Sequence, residues 1–200
     1  IPVIDMVEIG AGGGSLAHVD GLGRLQVGPE SAGSEPGPAC YGRGGTKPAV
    51  TDADLLLGKI APGRFAGGAM SLDAAAAAKA VSSAVGARLD FDAEMAAYAV
   101  SEVVDETMAA AARAHAIESG RDLGDRAMIA FGGAAPLHAA RLAEKLGVAR
   151  VIVPPGAGVG SAIGFLLAPA AYEVVRSRPM WLDAYDGETV DALFAEMRAE

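Results

Sequence analysis

A dense run of glycines near the start of the chain, Gly10-Ala11-Gly12-Gly13-Gly14, restricts the local backbone to a turn. Glycine loses more conformational entropy on folding than other residues, so neither a helix nor a strand tolerates this density. Alternating and apolar stretches at 2–9, 15–20 and 24–27 predict short strands around it. We therefore expect the amino-terminal segment to form a meander of three strands. The segment 10–15 is called the first glycine loop below.

Beyond the meander and an irregular segment at 28–50, helical and strand patterns alternate. Helices are predicted over 51–58, 71–87, 92–119, 136–147, 161–168 and 189–200, and strands over 127–131, 150–153 and 172–178. Such alternation favours the α/β class. On the helix at 92–119 an apolar stripe runs through Val100, Val104 and Met108. Charged residues are expected on the opposite side of this helix, namely Glu102, Asp105, Glu106 and Arg113.

The charge balance and the cysteine content limit the classes of partner. A net charge of −9 argues against a nucleic-acid backbone or an anionic membrane, but a nucleotide site needs only local donors and a metal. The apolar stretches are too short to span a bilayer, and the chain opens without a signal-peptide layout. Cys40 is the only cysteine, which fits a reducing compartment and predicts a cytoplasmic location. Because the chain begins at Ile1 within an apolar run, we expect a fragment that starts inside a domain.

Two familiar nucleotide-binding motifs fail on this sequence. In the first glycine loop, Ser15 stands where a dinucleotide-binding fingerprint has its third glycine, and a strand rather than a helix is predicted to follow. At 42–47 the lysine of a would-be phosphate-binding P-loop is followed by Pro48 instead of serine or threonine. Neither a Rossmann site nor a P-loop is therefore expected.

A hairpin with a glycine turn can still bind phosphate. Bare glycines let several backbone N–H groups converge on one oxyanion, because no Cβ atom stands in the way. Ser15 can add a hydroxyl group, and Asp5 or Glu8 can hold Mg²⁺ directly or through water. The alternative is a plain glycine-rich hairpin without a ligand.

A second glycine loop, Gly132-Gly133-Ala134-Ala135, lies between a predicted strand and a predicted helix. Paired glycines there allow adenine or ribose to approach the backbone, and the start of the helix favours anions. The alternative is an ordinary strand-to-helix turn. The presence of both loops in one chain favours a nucleotide site over either loop alone.

The sequence identifies no catalytic residue. The three histidines are too far apart for a metal site, and each is expected to have a structural role: His18, His115 and His138. His138 is the best placed, since it lies in the first helical turn after the second glycine loop. Asp52 and Asp54 either bind metal or cap the helix at 51–58. Cys40 is expected to be buried and unreactive, although Arg43 is near it in sequence.

Several sequence blocks, in this order, resemble the hydantoinase A/5-oxoprolinase family. They lie at 8–17, 27–33, 36–42, 51–54, 131–139 and 154–164. The resemblance covers roughly residues 1–170, and 171–200 is expected to begin a carboxyl-terminal extension. Two positions depart from the family pattern: Asp54 stands where asparagine is usual, and Ala135 where glycine is usual.

The resemblance implies the second half of an actin-like ATPase fold, shared with sugar kinases and Hsp70, and ATP and Mg²⁺ as cofactors. It implies that the ATP phosphates lie against the first glycine loop, at Gly10, Gly12, Gly13, Gly14 and Ser15. Gly132 and Gly133 are implied to lie at the adenosine end. Glu8 and Asp52 are the candidate metal ligands.

The implied activity is that of an ATP-dependent amidohydrolase acting on a small molecule. It would activate a cyclic amide of the hydantoin or 5-oxoproline type by phosphoryl transfer before ring-opening hydrolysis. The alternatives are a subunit of an ATP-dependent ketone carboxylase and a non-catalytic nucleotide-binding domain. A second subunit or a homo-oligomer is expected. The family's amino-terminal phosphate hairpin is absent from this sequence, so the fragment alone is expected to be inactive.

Overall fold

The computed structural model describes residues 6–199 of the chain. The strands are Ser15–Val19 (β1), Leu25–Ser31 (β2), Ala127–Ile129 (β3) and Arg150–Ile152 (β4). The α-helices are Val50–Leu56 (α1), Ala74–Val81 (α2), Ala87–Leu89 (α3), Ala93–Glu118 (α4), Ala135–Leu146 (α5), Gly160–Leu167 (α6) and Gly187–Ala199 (α7). Short 3₁₀ segments lie at Ala39–Tyr41, Pro62–Gly68, Ala157–Val159 and Leu182–Ala184.

The amino-terminal sheet is a two-stranded antiparallel hairpin of β1 and β2. Ala17 faces Val27 and Val19 faces Leu25, with an irregularity in register between Ser15 and Ala17. The predicted strand at 2–9 lies partly outside the described residues, and 6–9 have no regular structure. The predicted three-strand meander is therefore wrong for the described part of the chain. The physical reason is that 6–9 pair with no neighbouring strand there, which a strand requires.

The hairpin, α1, α2 and α4 share one apolar core made of small side chains. Its buried members are Ala17, Val50, Ala53, Val81, Val85, Ala96, Ala97, Val100 and Val104. Alanine and valine let helix backbones approach closely, and dispersion contacts accumulate over many such pairs. The helix α4 begins as predicted, because the Asp92 side chain accepts the Met95 N–H at 2.8 Å. It ends before Gly120, whose φ of +62° suits glycine.

The predicted helix at 71–87 is divided in the structure. Asp73 caps its first part, since its carboxylate accepts the N–H groups of Ala75 and Ala76. After α2, the segment Ser82–Gly86 forms a π-helical turn and leads into α3. The wider turn places Val85 in the core at full burial.

A strand–helix–strand unit follows, in which β3 and β4 are parallel and α5 connects them. Pro136 lies in the first turn of α5, where its missing N–H costs nothing. Gly147 ends the helix with φ +67°, and its N–H bonds to the last carbonyl groups. The parallel pair with its helical crossover confirms the α/β class.

Ion pairs on the outer surface hold α5 against α4. Arg141 contacts Glu102 at 2.7 Å, Lys145 contacts Glu106 at 3.1 Å, and Arg113 also pairs with Glu106. These groups are partly exposed, so the pairs contribute little to stability but fix the orientation of the two helices. Three of the four charged residues expected on this side of α4 are found there, and the exception, Asp105, is described below.

The chain divides into two compact units, the first ending at Ala162 and the second beginning at Ile163. The second unit contains α7, whose start is capped by Asp186 through the Glu188 and Thr189 N–H groups. The predicted strand at 172–178 is wrong: this segment has no regular structure, and Tyr172 is almost fully exposed. Within residues 6–199, no helix has the length and apolar character needed to cross a membrane. The predicted domain limit at residue 170 stays a prediction.

Candidate functional site

Thr51, in the first turn of α1, holds the first glycine loop. Its backbone N–H and its hydroxyl Oγ1 both donate to the Gly13 carbonyl oxygen, each at 2.8 Å. A Cβ atom built on Gly13 would lie 2.8 Å from Thr51 Oγ1, which is closer than real Cβ contacts allow. Glycine is thus required at position 13 by the close approach of α1.

The two glycine loops meet at this point. The Cβ position of Gly13 lies 3.9 Å from the Cβ of Ala134, which belongs to the second glycine loop. That loop is held by a hydrogen bond of 2.7 Å from the Gly132 N–H to the Ala157 carbonyl, and Gly132 has a φ of +102° that side chains rarely adopt. The fold therefore brings together two loops that lie far apart in the sequence.

A cavity of about 720 Å³ opens beside the junction of the two loops and is called the glycine-loop cavity below. This volume is in the range of sites that bind small molecules and cofactors. Its wall combines glycine backbone, apolar and aromatic side chains, and two cations; the lining residues are Tyr41, Thr51, Asp54, Lys59, Ile60, Ala61, Arg64, Phe65, Ala66, Gly67, Gly133, Ala134, Leu137, Gly158 and Val159.

Inside the first glycine loop, Ser15 and Gly12 bond to each other. The Gly12 N–H donates to Ser15 Oγ at 3.0 Å, and the Ser15 N–H donates to the Gly12 carbonyl at 3.0 Å. Ser15 is buried and its hydroxyl accepts the Gly12 N–H within the turn, and its predicted contact with a phosphate stays a prediction. Within residues 6–199, the N–H groups of Gly13 and Gly14 have no acceptor, which leaves two donors of the predicted phosphate cradle.

The remaining predicted glycines differ in the space around them. A Cβ atom on Gly12 or Gly133 would meet nothing within 4 Å, and neither residue has a positive φ. A Cβ atom on Gly10 would lie 3.1 Å from Pro29. Gly133 lines the cavity directly. Glycine at positions 12 and 133 therefore has no explanation in the packing of the protein itself.

Asp52 is fully buried and satisfies three backbone N–H groups. Its Oδ1 accepts from Cys40 at 2.7 Å, and its Oδ2 accepts from Ala39 at 3.1 Å and Ala49 at 2.8 Å. The carboxylate thereby ties the 3₁₀ turn to the start of α1. These contacts favour the capping interpretation of Asp52 over metal ligation, because both oxygens are occupied and away from solvent.

Glu8, the other candidate metal ligand, is exposed in the irregular segment before the first glycine loop. Its role stays a prediction. In the described part of the chain, no three His, Cys, Asp or Glu side chains are grouped in a way that could hold a metal ion. The thiol of Cys40 is buried, and burial together with the neighbouring Asp52 raises its pKa far above the ordinary value. It stays protonated, as expected for an unreactive cysteine.

His138 is fully buried between two aspartates, which the sequence did not reveal. Its Nδ1 lies 2.7 Å from Asp105 Oδ1, and its Nε2 lies 3.2 Å from Asp54 Oδ2. Burial lowers the pKa of His138, but the hydrogen bond to Asp105 and the interactions with Asp54 outweigh it and raise the pKa to about 9. The imidazole is therefore positively charged at neutral pH.

Lys59 and Ser101 close this cluster into a ring of five side chains. Lys59 Nζ lies 3.0 Å from Asp54 Oδ1 and donates to Ser101 Oγ at 2.8 Å. Ser101 in turn reaches Asp105 Oδ2 at 3.5 Å. The cluster joins α1, α4 and α5 behind the glycine-loop cavity, which Asp54 and Lys59 line.

The expected position of Asp105 on the outer side of α4 is wrong. Asp105 is 1% exposed because it pairs with His138 of α5, whose charge compensates its own. Ser101 and Asp105 are four residues apart and lie beside Val100 and Val104 on the buried face of α4. The sequence could have indicated this buried polar pair, because the two polar residues lie at helical spacing along an apolar stripe.

Comparisons with known proteins identify related chains. The family described as Hydantoinase/oxoprolinase matches residues 1–174. Caprolactamase subunit alpha of Pseudomonas jessenii is 44% identical, over 92% of this chain and 26% of the relative. The acetophenone carboxylase gamma subunit of Aromatoleum aromaticum is 41% identical, over 90% of this chain and 24% of the relative.

A solved structure agrees with these matches. The crystal structure of the ATP-dependent caprolactamase from Pseudomonas jessenii has a TM-score of 0.76 at 45% identity, covering 84% of this chain and 24% of that chain. This chain thus spans about a quarter of the length of these relatives. The family match extends over most of the chain and includes both glycine loops. The chain belongs to the hydantoinase/oxoprolinase family.

Proposed function

We propose that this chain is the part of an actin-like ATPase domain that binds ATP in the glycine-loop cavity. The carrying observation is that this cavity opens where the two glycine loops approach each other at the first turn of α1, with Gly133 and Ala134 of the second loop in its wall. In this proposal the phosphates lie toward Gly13 and Gly14, whose N–H groups are unpaired within the described residues, and the adenosine lies toward Gly133. Converging backbone donors without side chains are well suited to a phosphate oxyanion.

The described residues fit ATP better than they fit Mg²⁺. Sites for Mg²⁺ usually combine one or two carboxylates with phosphate oxygens and water. The cavity wall contains one carboxylate in the described part of the chain, Asp54, and it is already within 3.0 Å of Lys59. We propose that Mg²⁺ accompanies ATP and that its protein ligands lie mainly outside the described residues.

For the full-length protein we propose hydrolysis of a cyclic amide. Phosphoryl transfer to the carbonyl oxygen makes the amide carbon electrophilic, so that water can open the ring. Positioning and neutralisation of charge are the protein's share in such a reaction. Caprolactamase subunit alpha, at 44% identity, supports this substrate class, and its name supports a partner subunit.

A ketone carboxylase subunit is the second candidate, supported by the acetophenone carboxylase relative at 41% identity. ATP turnover of the full-length protein distinguishes the two candidates. Stimulation by hydantoin, 5-oxoproline or caprolactam supports the hydrolase, and stimulation by acetone or acetophenone with bicarbonate supports the carboxylase. If the protein binds ATP tightly and none of these compounds stimulates ATP turnover, the result supports a non-catalytic nucleotide-binding domain.

The location of the nucleotide is tested with Gly133→Ala in the full-length protein. The added methyl group meets no protein atom within 4 Å, so folding should be unaffected, whereas a nucleotide against the loop would be displaced. We expect ATP affinity to fall by roughly 10-fold or more, in line with the cost of a steric conflict in a packed site. Gly21→Ala, in the hairpin turn, is the matched control because its Cβ position is equally open. Equal ATP affinities for the two variants would refute this location.

A further inference from the structure

The glycine-loop cavity carries positive charge in an acidic protein. Lys59 and Arg64 line it, and Asp54 is the carboxylate that faces it among the described residues. The chain as a whole has a net charge of −9, whereas the wall of this cavity carries two cations and one carboxylate among the described residues. Arg64 is exposed and has no ion-pair partner within residues 6–199. Such a wall attracts an anionic group.

Lys59 is held in place at this wall. Its ammonium group contacts Asp54 of α1 at 3.0 Å and Ser101 of α4 at 2.8 Å, while its side chain stays 25% exposed. A lysine on the surface loses considerable rotamer entropy when it binds a ligand. Because two helices already fix Lys59, most of that loss is incurred on folding, and binding an anion costs less.

Asp54 is fixed in turn by His138. The imidazole Nε2 lies 3.2 Å from Asp54 Oδ2, and its Nδ1 is bonded to Asp105 on α4. The buried atoms Asp54 Oδ1 and His138 Nε2 have contacts to charged groups but no well-aligned hydrogen bond. The charges of Asp54 and Asp105 are balanced by His138 and Lys59, so the ring is close to neutral as a whole. The positive charge of Arg64 is then left uncompensated at the cavity.

We propose that Lys59, together with Arg64, binds the phosphate groups of the nucleotide, and that His138 is a positioning residue that fixes Lys59 through Asp54. The proposal rests on the proposed binding of ATP in this cavity. It assigns the phosphates two side-chain cations in addition to the backbone donors of the first glycine loop. The shared chemistry is a phosphoryl group bound by an ammonium and a guanidinium group.

Calorimetric titration of the full-length protein with three probes tests the role of Lys59. ATP contains base and phosphates, tripolyphosphate lacks the nucleoside, and adenosine lacks the phosphates. We expect Lys59→Met to weaken ATP and tripolyphosphate by roughly 10- to 100-fold, the usual effect of losing a charge-assisted hydrogen bond, and to leave adenosine unchanged. Lys59→Arg keeps the charge and should retain most of the affinity for ATP. Equal losses for adenosine and ATP would overturn the assignment.

The role of His138 is tested with His138→Gln, and His18→Gln on the exposed side of β1 is the matched control. A positioning role predicts a loss of affinity for ATP and tripolyphosphate that exceeds any loss for adenosine. A merely structural role predicts the same loss for all three probes and would overturn this part of the proposal.

The two proposals fail in distinguishable ways. If Gly133→Ala weakens ATP binding and Lys59→Met does not, ATP occupies the cavity and the assignment of Lys59 is wrong. If the wild-type protein binds no ATP, or if Gly133→Ala has no effect, the proposed function fails and the assignment of Lys59 fails with it.

Discussion

The buried histidine between two aspartates makes the stability of this region depend on pH. The pKa of His138 is raised from 6.5 to about 9 in the folded protein. At about 1.4 kcal/mol for each tenfold change, this difference corresponds to about 3 kcal/mol of stability. Because the folded pKa lies above the unfolded one, the contribution is fully present below pH 6.5 and is lost as the pH rises through about 9. We therefore expect the region to weaken between pH 7 and pH 10.

The substitution His138→Gln removes this contribution, leaves Asp105 buried without its cation, and leaves Asp54 paired with Lys59 alone. Breaking a buried pair in this way costs about 3–5 kcal/mol. The variant should unfold at lower urea than the wild type at pH 7, and the two midpoints should converge toward pH 10.

Pulse proteolysis across a urea series measures the urea midpoint of this region in the full-length protein. A brief exposure to protease cuts only unfolded molecules, and peptides from residues 93–146 can be quantified by mass spectrometry. His18→Gln is the control, because His18 is exposed on β1. It shows how the stability of the rest of the protein depends on pH. A difference between wild type and His138→Gln that stays constant from pH 7 to pH 10 would refute the assignment of a charged His138.

Three further outcomes follow from the site. Gly13→Ala should lower the free energy of unfolding by about 1–3 kcal/mol, because its methyl group displaces Thr51 Oγ1 from the Gly13 carbonyl; the urea midpoint should fall accordingly. Gly12→Ala should have little effect, because its Cβ position is open. Asp52→Ala should lower the free energy of unfolding by about 3 kcal/mol or more, since three backbone N–H groups lose their acceptor; an unchanged urea midpoint would contradict the capping role. Cys40 should resist iodoacetamide at pH 8 in the native protein and react within minutes in 8 M urea, on the order of ordinary thiols, as followed by mass spectrometry; rapid labelling of the native protein would contradict its burial.

The sequence was most informative where local chemistry decides the structure. Asp92 and Gly120 bound α4 as predicted, and Pro136 lies in the first turn of α5, because caps act within one helical turn. The strand–helix–strand order likewise predicted the α/β class. The segment at 172–178 has the composition of a strand but forms none in the structure, because pairing depends on a neighbour that composition does not specify.

The site was predicted less completely, for the same reason. The glycine patterns correctly indicated two loops, and the structure brings those loops together. The environment of His138 depends on Asp54 and Asp105, which are distant in sequence and lie on different helices. Burying a charged residue on an apolar helix face is unfavourable unless the charge is paired. Asp105 can be buried because His138 of α5 pairs with it.

The short helix α1 has a consequence for how this protein can change over evolution. Within seven residues it holds the first glycine loop through Thr51, the turn that carries Tyr41 through Asp52, and the buried charge ring through Asp54. Two walls of the cavity, at Tyr41 and at Asp54, and the glycine loop beside the cavity thus depend on the position of one helix. A substitution that tilts α1 shifts all three together, so a new ligand preference is more accessible through Ile60, Arg64 and Phe65, which line the cavity and lie outside this helix.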